Sequence, residues 1–250
     1  MKNKYILNSL ILCNDLKKIR YNNIITMKVL SWDVGIYNLS YCILEYENKE
    51  DVKIIDWDIV NLVDNEEIKK NRSLLFENIP KKLHEKPQLL DVDLVVIENQ
   101  PSLKNPQMKS IQMILYSYFL ILGKVIGNGD NHSSYIDKIE FCSASNKLKI
   151  YDGPEIILEE KKGRKKNVEQ IILENKDSVE EITSEKKPKK KVNAIKYADK
   201  KRLAILHAQY FLQKDPNYIE FFNNHKKKDD LADSFLQGLY YIKNIKEVKK

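Results

Sequence analysis

Four acids in three separate parts of this 250-residue chain have the residue types from which cation chemistry is built: Asp33, Glu98, Asp230 and Asp233. Asp33 ends an apolar run beginning at Met27, and Glu98 ends the continuous apolar run DLVVIE. A carboxylate at the end of a buried strand costs several kcal/mol, roughly, unless a cation or a hydrogen-bond donor meets it. Asp230 and Asp233 lie three apart, so a helix would set both on one face of its first turn. Each acid also has a plain structural reading: a turn-capping Asp, a solvated strand-end Glu, a pair favoured by the helix dipole. Taken together they are what hard divalent ions require. Mg²⁺ or Mn²⁺ prefers oxygen ligands, and two such ions about 4 Å apart can stabilise the attacking and leaving oxygens of an in-line phosphodiester displacement.

The elements that must position these acids are legible in outline. Met27–Asp33 and Leu39–Tyr46 read as antiparallel strands around a turn containing Gly35 and Asn38, and Asp51–Val60 as a third strand. Asn65–Ile79 has helical spacing, with Pro80 as a stop or kink. Asp93–Glu98 has the composition of a strand buried on both faces. A helix from about Gln107 to Ile126 is apolar over more than one face, so it needs cover from the sheet and from something else, a partner subunit or more of the same chain. Ile139–Ser143 is a fifth strand, and Ser145–Tyr151 a polar continuation toward the site face. Ala194–Gln213 forms an amphipathic helix closed by Pro216. The last helix runs from the Asp229 region to about Asn244, with Leu231, Phe235, Leu239 and Ile242 as its core stripe and Asp229 as its N-cap or, as the runner-up reading, a further ligand.

Composition bounds the function classes. Hydrophobic residues at 42% and charged residues at 32% suit one globular domain, spanning 27–250, preceded by an extension, 1–26. That extension holds only a brief apolar run, Tyr5–Cys13, too short to span a membrane. Lys161–Arg202 carries a net +8 while the whole chain carries +7, so a basic arm adjoins a near-neutral body. Such a footprint suits nucleic-acid backbone binding, and the 152–192 stretch also fits a solvated Lys/Glu-rich insertion. With only four arginines, Arg20, Arg72, Arg164 and Arg202, recognition by lysine point charges and shape is favoured over base reading. Cys13, Cys42 and Cys142 show no zinc spacing and point to core thiols in a reducing, intracellular compartment. The histidines lack ligand spacing, although His225 borders the acidic pair closely enough to be considered for proton transfer. No GxxxxGK[ST], GxGxxG or GxSxG occurs, which removes the usual nucleotide-cofactor and serine-hydrolase readings.

Three blocks, SWDVGIYNLSYCIL, VVIENQP and KKDDLADSF, in this order and at these intervals, resemble the RuvC-type Holliday junction resolvases of the RNase H-like superfamily, in the branch shared by poxviruses, other large DNA viruses and fungal mitochondria. The resemblance implies an α/β RNase H-like fold with a mixed five-stranded β-sheet flanked by helices. It implies catalytic, metal-binding acids at Asp33, Glu98, Asp230 and Asp233, serving two Mg²⁺ ions per site with Mn²⁺ as a substitute. Asn38 and Gln100 match polar positions that orient the loop or touch the DNA backbone. Lys200, Lys201, Arg202, Lys226 and Lys227 match basic, DNA-binding positions. A homodimer making paired symmetric nicks in four-way DNA junctions is implied as well, with no membrane and no nucleotide cofactor, acting where viral DNA replicates if the source is viral. An RNase H-like enzyme on RNA or RNA–DNA hybrid, and a non-catalytic junction-binding protein, are the rival readings. The Lys/Glu-rich insertion departs from the family pattern and leaves substrate breadth open.

Overall fold

A computed structural model describes residues 26–126, 136–156, 158 and 197–245. Five strands, β1 (Met27–Val34), β2 (Asn38–Asn48), β3 (Asp51–Asn61), β4 (Leu94–Asn99) and β5 (Lys138–Ser143), form one sheet in the order β3-β2-β1-β4-β5. The β3, β2 and β1 strands are antiparallel neighbours, whereas β1, β4 and β5 run parallel. This is the mixed five-stranded sheet that the family resemblance implies. Gly35 is required where β1 turns toward β2, because a Cβ there would lie 2.5 Å from the carbonyl oxygen of Asn38.

One face of the sheet is covered by α2 (Arg72–His84) and α3 (Pro106–Tyr118), the latter continuing as a π-helical segment to Ile126. Leu30, Trp32 and Val34 from β1 and Val95 and Ile97 from β4 enter that layer. On the other face lie α4 (Tyr197–Leu212), α5 (Pro216–Asn224) and α6 (Lys228–Asn244), packed on Val29, Leu44, Leu94 and Val96. The final helix approaches closely: a Cβ on Gly238 would stand 2.7 Å from Leu44 Cδ1 and 3.1 Å from Ser31 Cβ. Its expected stripe of Leu231, Phe235, Leu239 and Ile242 is buried throughout.

Several boundaries differ from expectation for local reasons. The helix expected over Asn65–Ile79 is two: α1 (Glu66–Lys70) stops at Asn71, whose N–H closes it on Glu67 while its Oδ1 accepts from Ser73 and Leu74 to open α2. Pro80 neither ends nor starts a helix; α2 runs through it to His84, because the buried Leu75, Ile79 and Leu83 hold the helix against the core. Pro216 opens α5 at its first position, with Asp215 as the N-cap. Asp229 is not an N-cap; it lies inside the first turn of α6, and Lys227 occupies the cap position without a side-chain cap bond. Residues 1–25 of the extension and most of the 152–192 stretch lie outside the described residues.

Candidate active site

Strand period and register bring the first two acids together. Trp32 pairs with Ile97 in the parallel β1/β4 ladder, so the next step along both strands is Asp33 beside Glu98. Because alternate residues share a face, Asp33 follows Ser31 and Glu98 follows Val96 onto the side covered by α6. That helix supplies Asp230 and Asp233. Its position over β1 is fixed by polar contacts as well as by Gly238: Gln237 Nε2 donates to Ser31 Oγ at 3.2 Å and to the Trp32 carbonyl at 3.0 Å. Farther along, Ser234 Oγ lies 2.8 Å from Ser40 Oγ and donates to the Leu231 carbonyl.

Three of the four acids meet at a single cation. Lys147, in a 3-10 turn just after β5, places its Nζ 3.1 Å from Asp33 Oδ1, 3.4 Å from Glu98 Oε1 and 2.7 Å from Asp233 Oδ2. Asp230 stands beside them; its carboxyl is raised above the usual range by burial, then by the charges of Asp229 and Asp33. Burial and the neighbouring Asp33 push Glu98 up to about 8, partly offset by Lys147. Burial also raises Asp233, to about 6, against the pull of Lys147. Lys147 itself titrates well above the ordinary lysine range: burial disfavours its charge, but the three acids outweigh that.

Among the described residues no three acids form a cation cage of their own, and the centre that these acids share is held by the Lys147 ammonium. The donor set nevertheless fits a hard divalent ion, since its members are carboxylate oxygens gathered where a positive charge is already required.

The other expected site residues divide. Gln100 is buried and its Nε2 donates to Glu98 Oε2 at 2.9 Å. Asn38 begins β2 and is half-buried. Lys200, Lys226 and Lys227 are exposed, with Lys227 Nζ 3.8 Å from Asp230. Lys201 is engaged by Asp229, and Arg202 lies 3.6 Å from Asp199, so both are already paired. Those pairs leave Asp229 outside the cluster at Lys147. His225 accepts the Lys227 N–H through Nδ1, shaping the turn into α6.

Sequence reasoning missed Lys147 and Gln112. Lys147 and Lys149 sit in the same polar stretch, yet Lys149 bonds locally to Asn146 while Lys147 is buried among acids. Only the placement of β5 next to β4 distinguishes them. Gln112 lies in a helix whose sequence advertises apolar packing, and its buried Oε1 accepts from the Gln100 N–H at 2.8 Å.

A five-stranded mixed sheet with acids at the ends of adjacent parallel strands and on a closing helix defines an RNase H-like fold. The chain shares this fold with the yeast mitochondrial Holliday junction resolvase Ydc2, at a TM-score of 0.52 and 16% identity over 91% of this chain and 84% of that one. The fowlpox virus resolvase, solved with its substrate Holliday junction DNA, aligns at a TM-score of 0.46 and 18% identity over 87% and 97% of the two chains. Residues 27–126, containing Asp33 and Glu98, match the family described as Poxvirus A22 protein. A curated relative, uncharacterized protein L451 of Acanthamoeba polyphaga mimivirus, is 34% identical over 160 residues, 63% of this chain. The chain spans 30% of that relative's length.

Proposed function

We propose that this protein is a Holliday junction resolvase, a divalent-cation-dependent endonuclease that introduces paired symmetric nicks into four-way DNA junctions. The observation that carries the reading is the convergence of Asp33, Glu98 and Asp233 on one cationic position, with Asp230 alongside. The fold shared with the yeast mitochondrial Holliday junction resolvase supports the choice of substrate class.

Asp33, Glu98, Asp230 and Asp233 would hold two Mg²⁺ ions, with Mn²⁺ as a substitute. Bound there, the ions supply charge stabilisation to the attacking and leaving oxygens of a phosphodiester displacement. Gln100 keeps one oxygen of Glu98 in a fixed direction. Lys147 balances the carboxylates when they are ionised and offers a cation to a scissile phosphate that comes within its reach. Lys200, Lys226 and Lys227 are the exposed lysines suited to backbone phosphates, and Asn38 remains a candidate backbone contact beside the first acid. Lys201 and Arg202 could join the exposed lysines only by exchanging their present carboxylate partners.

Two nicks related by symmetry call for two active sites on a two-fold axis, hence a homodimer. The outer face of α3 and its continuation supports this. Met113, Ile121 and Val125 are 41%, 51% and 64% exposed at four- and eight-residue spacing on one side, while Ile111, Leu115 and Phe119 are fully buried on the other. This 21-residue helix is long and apolar enough to cross a membrane by length and composition alone, but its inner side belongs to the core. A reducing intracellular setting, at the site of viral DNA replication for a viral source, agrees with the free buried thiols of Cys42 and Cys142.

Product mapping on a synthetic four-way junction, beside flap, RNA–DNA hybrid and RNA substrates, tests the proposal. The wild type should nick the junction symmetrically with Mg²⁺. Asp33→Asn and Asp230→Asn should lose cleavage while keeping junction binding in Ca²⁺ or EDTA. Full cleavage by both purified variants, or preference for hybrid or RNA, would defeat the assignment.

A further inference from the structure

Between the apolar stripe of α3 and the acids lies a short chain of buried polar contacts. Gln112 is fully buried on the inner side of the helix, adjacent in sequence to the exposed Met113. Its Oε1 accepts two hydrogen bonds, from the Gln100 N–H at 2.8 Å and from Lys109 Nζ at 3.1 Å. The amide orientation follows from chemistry: turned over, an NH₂ would face an N–H and an ammonium, and no acceptor. Gln100 then passes the constraint on, its side-chain Nε2 reaching Glu98 Oε2 at 2.9 Å. Lys109 also donates to Asn99 Oδ1 at 3.2 Å, so the helix grips two successive residues beyond the acid. Gln112 Nε2 is buried and finds no partner among the described residues, an unfavourable state that the hydrogen bonds to its oxygen must offset.

We propose that Gln112 is a positioning residue for the cation site, acting from α3 through the Gln100 backbone and side chain to fix the carboxylate of Glu98. This rests on the reading of Glu98 as a cation ligand. Outer-shell partners of this kind fix the direction of a ligand oxygen, and their loss typically weakens cation affinity by about 10–100-fold. The arrangement also gives the helix two sides with different tasks: an outer one available to a second copy of the chain, and an inner one that sets a ligand.

The test is Mn²⁺ binding to the DNA-free full-length protein, followed by the paramagnetic resonance signal of the free ion. Gln112→Leu, which keeps the bulk and removes the acceptor, should weaken binding about tenfold. Gln112→Glu, which restores an oxygen toward both donors, should recover most of it. Gln100→Met should weaken binding to a similar degree, and Gln112→Leu combined with Gln100→Met should be no worse than the more affected single variant, because both act along one route. Wild-type affinity in Gln112→Leu, or additive losses in the double variant, overturns the proposal. If Gln112→Leu does not fold, Gln100→Met decides: unchanged Mn²⁺ binding overturns the proposal, and a loss of about tenfold supports it. A wild type that binds no Mn²⁺ would bring down the cation-site reading as well, whereas binding that is insensitive to these substitutions removes only the role of Gln112.

Discussion

Trp32 and Asp33 are consecutive residues of β1 and face opposite sides of the sheet. Trp32 enters a layer in which its ring lies 5.1 Å from Tyr41 and 6.1 Å from Phe119, so apolar that its Nε1 has no partner among the described residues. Asp33 enters the layer under α6, where buried polar groups recur along the helix: Asp233, Ser234 and Gln237 all engage residues of the sheet or Lys147. One side of the sheet therefore supplies bulk burial, and the other is assembled from groups that must be paired to be buried at all. The difference teaches where tolerance should lie. Volume governs the first side and charge balance governs the second.

The sharpest way to break that contrast is Lys147→Met, which nearly preserves the side chain's volume and removes its charge. It leaves Asp33, Glu98 and Asp233 facing one another without a cation, and loss of one partner from a buried ion pair typically costs about 3–5 kcal/mol. Chemical denaturation of the metal-free variant should show that loss most fully near pH 8, and a smaller one near pH 6, where Glu98 is protonated. An unchanged midpoint at pH 8 would mean that the ammonium is dispensable to the acid cluster. On the other side, Phe119→Ala should cost about 3–5 kcal/mol through cavity formation. Its loss should be indifferent to pH, and junction cleavage per folded molecule should stay close to wild type. A pH-dependent Phe119→Ala would blur the two sides into one.

The same contrast explains what could be read in advance. Apolar runs in MKVLSWD and LVVIE showed both strands, and the helical spacing of Leu231, Phe235, Leu239 and Ile242 showed the closing helix. The acids stood out because they interrupt apolar runs. Lys147 did not, since a lysine in a polar stretch has no local feature to separate it from its solvated neighbour Lys149. Its role comes from the parallel β4/β5 pairing, in which Glu98 lies opposite Cys142, a long-range fact that local spacing does not encode. Pro80 and Pro216 were misplaced for a related reason. The penalty of a proline is local, whereas packing of Ile79 and Leu83 and capping by Asp215 decide whether a helix continues or begins there.

The outer stripe of α3 offers a smaller effect that sharpens the comparison. Ile121→Glu adds a charge to an exposed position, so the monomer should keep its stability within about 0.5 kcal/mol. Self-association, followed by sedimentation, should weaken by about tenfold or more if the stripe covers a second copy. Paired nicking should then decay into single, uncoordinated nicks. An unchanged association constant would remove this face from the proposed dimer.

The pH dependence of the metal-free protein is the gentlest probe, and its sign follows from the acids. Glu98 is raised from the ordinary glutamate range to about 8 and Asp233 to about 6, so the folded protein holds protons that the unfolded chain has released. Stability from these two groups is fully present below their unfolded values and is lost as pH rises through about 6 for Asp233 and about 8 for Glu98. The melting temperature should therefore fall from pH 5 to pH 8.5 in EDTA. Glu98→Gln should flatten the upper part of that fall and melt above the wild type at pH 8.5, because its neutral amide needs no deprotonation. Mg²⁺ should act oppositely, raising the wild-type melting temperature more at pH 8 than at pH 6, since a cation competes with protons for the same oxygens. Mg²⁺ stabilisation equal at both pH values would indicate binding away from Glu98 and Asp233, and would detach the charged side of the sheet from the cation chemistry proposed for it.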